Sequence, residues 1–521
     1  MKIHILAAML YAIVVSGCGG GGSSGASTSA SASAPTPAPA PTLTPTSGSI
    51  NYYVSPTGSD SNPGTLMAPW KTLQHAVSLA TAGATIYARA GVYSEQVVFP
   101  VSGNASAGYI TLQNYTGETA VIDGTGIGTS ATNAGLVNLA DVSYIQVRGF
   151  EIRNLTSNTA SFVPAGIRVT GNGSYIQLRN NYVHDISTTV NDSSGNAFGI
   201  MVYGTKAPES INNLIIDGNE VAYLKTGSSE SVSLNGNVEI FQVTNNKIHD
   251  NNNIGIDFIG FEGTSPNTSY DQARNGLVSG NLVYNITSYG NPAYGNNYSA
   301  DGLYVDGATN IIIERNTVHN VDIGVELASE HSGRVGSLIT LRNNLLYSNT
   351  LIGISLGGSA STNGGVDNCG IYNNTLYQND TIQSGSGEIG LQNHVSNIQF
   401  ANNLVVSNSQ GVFVSTQTTA INSSMNGDLY FSASGSKRIW SWNGLAYTSF
   451  AAYQSGSGND LNGLYSDPLL INPASGNFIP AAGSPAINAG VALTATQAGT
   501  QDLNGNARVQ GNAIDIGAYE Q

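Results

Sequence analysis

Between about residues 142 and 415, short runs of alternating hydrophobic and polar residues recur, and many end in the same phrase, a hydrophobic pair followed by Asn. The phrase appears as Ile176-Gln-Leu-Arg-Asn-Asn181, Ile215-Ile-Asp-Gly-Asn219 and Val243-Thr-Asn-Asn246. It continues as Val278-Ser-Gly-Asn281, Ile313-Glu-Arg-Asn316, Leu341-Arg-Asn-Asn344, Ile371-Tyr-Asn-Asn374 and Phe400-Ala-Asn-Asn403. The spacing runs from 27 residues (Asn219 to Asn246) to 38 (Asn181 to Asn219). A two-residue period within a unit that repeats at this interval predicts stacked strands, not a helix. Asn tolerates the left-handed backbone of a sharp corner, and stacked Asn side chains can hydrogen-bond from one coil to the next. The expected fold is all-β: a right-handed parallel β-helix.

The flanks read differently. Asn51-Tyr-Tyr-Val54 predicts a strand followed by a turn-rich loop, and Pro69 opens a helical stretch with Leu73, Ala76, Val77 and Ala80 on one face. A solenoid would otherwise expose its first coil, so a short amphipathic cap is expected there. Residues 50–141 are therefore read as the cap and first coils, 142–415 as the β-helix, and 416–521 as the last coils and closing segment. Within the last span, 420–465 loses the period and carries Trp440 and Trp442, as a terminal strand pair or a packing loop would.

Composition narrows the class. Charged residues are only 9% of the 521, Gly numbers 63, and the net charge is −15. Low charge with abundant Gly suits short strands joined by tight corners. The acidity excludes a nucleic-acid partner, whose phosphates need a basic surface. An acidic polysaccharide would need a local basic patch or a bound cation. A monomer is expected.

The N-terminus has the look of an address. Lys2 precedes an apolar run, Ile3 to Val15, too short to span a bilayer. The following Val15-Ser-Gly-Cys18 resembles a bacterial lipobox, which implies a signal peptide over 1–17 and lipid on Cys18. Residues 18–49, almost entirely Gly, Ser, Ala, Thr and Pro, cannot bury a core and read as a tether. The expected location is the cell envelope or cell surface, with Gly19 pointing to an outer membrane in a Gram-negative cell. Cys369 is then a small buried hydrophobe.

Tyr53-Val-Ser-Pro-Thr-Gly-Ser-Asp60, the Asn-rich coils, and the closing Gly483-Ser-Pro-Ala-Ile-Asn-Ala-Gly490 and Asp515-Ile-Gly-Ala-Tyr-Glu520 together resemble secreted bacterial β-helix proteins. That group includes polysaccharide lyases and some glycoside hydrolases. The resemblance covers nearly all of 51–521 and implies a polysaccharide substrate, although fold alone carries no reaction.

Strands that begin with Gly can be aligned: Gly166-Ile-Arg-Val-Thr, Gly199-Ile-Met-Val-Tyr, Gly255-Ile-Asp-Phe-Ile, Gly302-Leu-Tyr-Val-Asp, Gly324-Val-Glu-Leu-Ala and Gly353-Ile-Ser-Leu-Gly. Their outward column is Arg168, Met201, Asp257, Tyr304, Glu326 and Ser355, and the neighbouring one contains Tyr203, Ile259, Asp306 and Ala328. Asp257, Asp306 and Glu326 thus share one outward sheet in a chain poor in charge. With coils roughly 4.8 Å apart and a two-residue offset of about 6.6 Å, the Asp306 and Glu326 Cα atoms should lie about 8 Å apart. Their carboxyls can then approach to roughly 5–9 Å, the range used in glycoside hydrolysis. Crowded carboxylates raise at least one pKa and keep an acid protonated near neutrality. Asp301, Asp322, Glu262, Glu330 and His331 sit at strand edges or in adjoining loops, and loops 261–275 and 285–300 add aromatic walls. Tyr304, Glu330, His331, Glu262, Lys225, Glu230 and Arg334 are the substrate-binding candidates. A solvated acidic face, or a cation site that only pins loops, would give the same pattern.

Gly302-Leu-Tyr-Val-Asp306 followed by Asp322-Ile-Gly-Val-Glu326 is also similar to a family of β-helix β-xylosidases. That resemblance implies Asp306 as nucleophile and Glu326 as acid/base, with no cofactor. Elimination from a uronate needs instead a cation, for which Asp257, Asp301, Asp306 and Glu326 offer oxygen ligands to Ca2+, and a base such as Lys225, Lys206 or Arg334. A glycan-binding adhesin is a third reading. His184 and His249, in repeated Asn-x-φ-His-Asp segments, read as structural, and no metal-thiolate spacing, phosphate loop or nucleophile elbow is present.

Overall fold

The computed structural model describes residues 50–128, 134–433 and 437–521. Residues 1–49, with the expected signal peptide, tether and Cys18, lie outside the described residues.

Each coil lays down three strands. One coil runs Ala165–Thr170, then Gly173–Arg179, then Tyr182–Thr188, before the chain returns with Phe198–Gly204 beneath the first strand. Stacking these coils gives three thirteen-stranded sheets, parallel except where Ile439–Trp442 pairs antiparallel with Leu445–Tyr447. The expected right-handed parallel β-helix is the fold. It extends beyond the regular repeat at both ends. Asn51–Val54 pairs in register with Thr85–Ala88, and the coils that hold Trp440 continue the stack through Val414↔Trp440.

Alternation decides what is inside. Ile167, Val169, Ile256, Phe258, Leu303, Val305, Val325 and Leu327 are fully buried, each contributing about 1.5–3 kcal/mol of burial. The Gly that opens each strand is a close-approach residue. A Cβ on Gly302 would stand 2.4 Å from Val318 Cγ1, and one on Gly166 would stand 2.3 Å from Val183 Cγ1.

The Asn phrase divides its labour between two positions. The left-handed corner is taken by the residue before the stacked Asn: Asn180 (φ 51°), Asn245 (55°), Arg315 (55°) and Asn373 (52°) among others. The following Asn is buried and forms the ladder. Asn246 Oδ1 accepts from Asn219 N and Nδ2 at 2.9 and 3.0 Å, and Asn281, Asn316, Asn344, Asn374 and Asn403 repeat the pattern. Asp428 ends it, accepting from Asn403 N and Nδ2 at 2.6 and 2.9 Å.

The N-terminal helix spans Leu73–Leu79, with Thr72 as N-cap. It starts four residues after Pro69 because Asp60 takes the N–H groups of Lys71 and Thr72, while the Glu95 carboxylate takes those of Leu73 and Gln74. At the other end, residues 491–518 run back across the corner amides of Asn402, Asn373 and Asn343. A buried Arg508–Glu520 ion pair (2.9 Å) ties that segment to the last residues of the chain. Cys369 is buried and its thiol is pushed up to about 12 by burial, as a packing residue would be.

Candidate active site

The strands Phe198–Gly204, Val232–Gly236, Ile256–Ile259, Asp301–Asp306 and Ile323–Ala328 stack in one sheet. Register aligns Met201, Ser233, Asp257, Tyr304, Glu326 and Ser355 in a single outward column. The Ser233 coil is missing from the sequence alignment because Val232-Ser-Leu-Asn-Gly236 follows a Ser in place of a Gly. The ladder residues Asn219 and Asn246 were the available sign of this coil.

Two cavities open on this face, with Tyr304 on the wall of both. The larger, about 100 Å³, is lined by Glu230, Asp257, Glu262, Asp306 and Glu330, with Tyr203, Tyr294 and Tyr304. The smaller, about 10 Å³, takes Asp301 and Glu326. A water needs about 10–15 Å³ of such space, so the smaller cavity holds one at most. The diagonal pairing of Asp306 with Glu326 on one cleft is therefore replaced. Tyr304 stands in register between Asp257 and Glu326, and its ring partitions the face. Glu326 faces Asp301 instead, and Ser355 Oγ donates to Glu326 Oε1 at 3.3 Å.

The larger cavity is built by the loops that follow its strands. Asp306 ends its strand, and its Oδ1 accepts the Glu330 N–H at 2.7 Å, so the loop after Ile323–Ala328 folds over it. Asn235 Nδ2 donates to Glu262 Oε2 at 3.1 Å. Tyr294, from the 285–300 loop, receives the Asn253 amide at 3.2 Å.

Burial, and then repulsion from Glu262, pushes Glu230 up to about 8. Burial also holds Asp257 well above the usual carboxylate range, with Glu230, Asp306 and Asp301 adding repulsion. Asp257 Oδ1 is buried without a hydrogen-bond partner. The cavity thus sets two carboxyls that burial shifts towards the protonated form, Glu230 and Asp257, beside the Asp306 side chain.

Of the other candidates, His331 approaches the cavity from the same loop as Glu330. Its ring nitrogen and oxygens of Glu262 and Asp306 lie within 4.8 Å of one another, close enough to share a metal ion. The expected ligand trio Asp257, Asp301 and Asp306 does not converge in this way, because Asp301 opens onto the other cavity. Lys225 is exposed in the stretch Lys225-Thr-Gly, whose backbone pairs with Ser187 and Thr188 in another sheet. Arg334 is exposed and stacks on Phe261 at 4.9 Å, and Lys206 reaches Asp141 at 3.7 Å. None of the three lines either cavity. His184 and His249 lie on the third sheet, against Asp185 and Glu151 and against Asp250 and Glu220, and His249 stacks on Tyr284. They are structural.

The chain is 38% identical over 441 residues to the uncharacterized protein YwoF of Bacillus subtilis, covering 84% of this chain and 92% of that one. This chain belongs to the YwoF family. Residues 52–203 also match the Pel9A-like right-handed β-helix region. Pectate lyase PEL9 of Emericella nidulans is 34% identical over 209 residues, 37% of this chain and 48% of that one. Among solved structures, the GH136 lacto-N-biosidase of Eubacterium ramulus superposes with a TM-score of 0.50 at 14% identity, over 74% of this chain and 64% of that one. The YwoF-family chain is thus a right-handed β-helix protein whose residues 52–203 are Pel9A-like. The family-model match ends at Tyr203, before the first cavity carboxylate, Glu230, and so bears on the fold and on none of the cavity's carboxyls.

Proposed function

We propose that this protein is an envelope-anchored enzyme that cleaves a polysaccharide by hydrolysis in the larger cavity. A single observation carries the reading: a cavity lined by five acidic side chains, two of which burial holds towards the protonated form, beside tyrosines. Hydrolysis of a glycosidic bond requires one carboxylic acid to protonate the leaving oxygen and one carboxylate to attack or to activate water. Glu230 or Asp257 supplies the proton, since burial pushes Glu230 up to about 8 and holds Asp257 well above the usual carboxylate range. Asp306 supplies the carboxylate, fixed by the Glu330 N–H. Tyr203, Tyr294 and Tyr304 line the cavity, where aromatic rings can pack on a sugar. Glu326 moves to a supporting role behind Tyr304. The lipobox-like Cys18 supports the envelope location.

The test is a glycan panel with reducing-end release as readout. Wild type should release reducing ends from at least one polymer, and Asp306→Asn should lower release by about 10²–10⁴-fold while melting at an unchanged temperature. Binding without turnover by wild type would leave only an adhesin.

A second reading, elimination from a uronate with a cation held by Glu262, Asp306 and His331, is supported by that trio and by the likeness to a pectate lyase. In that case a chelator abolishes turnover and the products absorb as unsaturated uronates.

A further inference from the structure

A polymer cleaved in the larger cavity has to run on beyond it over the stacked face. From Asp257 the outward column continues towards the N-terminal coils as Ser233, Met201 and Arg168, each in register with the next. Tyr203, on the cavity wall, is in register with Thr170, which lies two residues along from Arg168 on the same face. With rungs about 4.8 Å apart and a two-residue step of about 6.6 Å, the Arg168 and Tyr203 Cα atoms stand about 8 Å apart. We infer that Arg168 is a specificity-determining subsite, binding an oxyanion, carboxylate or sulfate, that the polysaccharide carries on a unit outside the cavity. This deepens the hydrolase reading and rests on it for the place of the cleaved bond.

What sets Arg168 apart is the lack of a partner. Among the described residues it is the only Lys or Arg that is not exposed and yet has neither an ion pair nor a hydrogen bond. Arg89, Arg153, Arg179 and Arg274, also half-buried, each reach a carboxylate. Burial alone moves the Arg168 guanidinium down from its ordinary value, whereas hydrogen bonds to Glu118 and Asp123 hold those of Arg89 and Arg153 above it. A guanidinium stays charged in either setting. Held half out of water without an anion, it carries a desolvation cost that nothing in the folded chain offsets. Its flat fork of N–H donors matches the paired oxygens of a carboxylate or a sulfate.

The setting also limits how densely the polymer is charged. No Lys or Arg lines the larger cavity, Lys206 turns to Asp141, and Arg334 stacks on Phe261. In a chain of net charge −15, one arginine matches an isolated anion and not a polymer charged on every unit. The inferred substrate is a heteropolysaccharide in which an anionic unit stands among neutral ones.

Calorimetry on the full-length protein tests this with two pairs of oligosaccharides. One pair is glucuronoxylan fragments before and after reduction of their carboxyls; the other is carrageenan fragments before and after desulfation. In one pair the charged member should bind about tenfold or more tightly than the neutral one, and salt should weaken it. The pair that responds identifies the oxyanion. Arg168→Gln should equalise the two members, and Arg168→Lys should keep part of the preference, since it retains the charge and loses the fork. Both variants should melt at the wild-type temperature, because no partner within the protein is lost. Equal affinity within both pairs, or a preference that survives Arg168→Gln, would overturn the inference, and reducing-end release indifferent to charge would then leave the hydrolase reading standing. A preference that Arg168→Gln removes, without release from any polymer, would support the subsite and sink the hydrolase reading instead.

Discussion

Two columns of polar side chains run along this solenoid, and they are built on opposite rules. In the Asn ladder each amide oxygen receives two N–H groups from the coil above, and each amide nitrogen donates onward. A buried polar group satisfied in this way costs little and fixes the register of the coil. On the outward face, Asp257 and Asp301 each keep a buried carboxyl oxygen without a partner, and neighbouring carboxyls repel one another. Stacking parallel coils brings like residues together in both places. Amides gain from it because each carries a donor and an acceptor, whereas carboxylates carry acceptors only. The first column holds the fold, and the second stores unsatisfied chemistry beside a cavity.

The contrast can be broken most severely at Asp306. Asp306→Asn should lower reducing-end release by about 10²–10⁴-fold, the usual worth of a positioned acid or base, with little change in unfolding midpoint. Asn316→Ala should do the reverse. It strands the backbone N–H of Asn281 and removes the amide donor to Val278 O and one of the two donors to Asn344 Oδ1, and should cost about 2–4 kcal/mol in urea unfolding. Its effect on turnover at a temperature where it is folded should be small.

Ionisation sharpens the comparison. Glu388, which ends a second amide ladder by accepting from Asn379 N and Nδ2, is pushed up to about 8 by burial. A buried carboxyl that holds its proton in the folded state, but loses it near pH 4.5 when unfolded, makes the native state bind more protons between those values. Its contribution is full below about pH 4.5 and is lost as pH rises to about 8. Glu388→Gln should therefore flatten the decline of melting temperature across that window. In the cavity, Glu230 at about 8 predicts that turnover falls as pH rises through that value, and Glu230→Gln should lose activity at every pH. The smallest expected effect is at Lys225: Lys225→Ala should change turnover by less than about twofold, since an exposed side chain off the cavity has no proton to move. A large loss there would favour elimination over hydrolysis.

The alternation of Ile, Val and Leu and the recurrence of Asn determined the architecture on their own, because a parallel coil has few ways to bury one face and turn three corners. The outward placement of Asp257, Tyr304 and Glu326 was legible for the same reason, as strand parity fixes which face a side chain takes. Which of those carboxyls share a space was not. The coil at Ser233 inserts a rung that sequence alignment passed over, the ring of Tyr304 divides the face, and loops from three coils decide that Glu230, Glu262 and Glu330 join Asp306 while Glu326 does not. Strand direction is a local property of the chain. The meeting of loop side chains around a cavity depends on contacts between residues far apart in sequence, and only the folded stack supplies them.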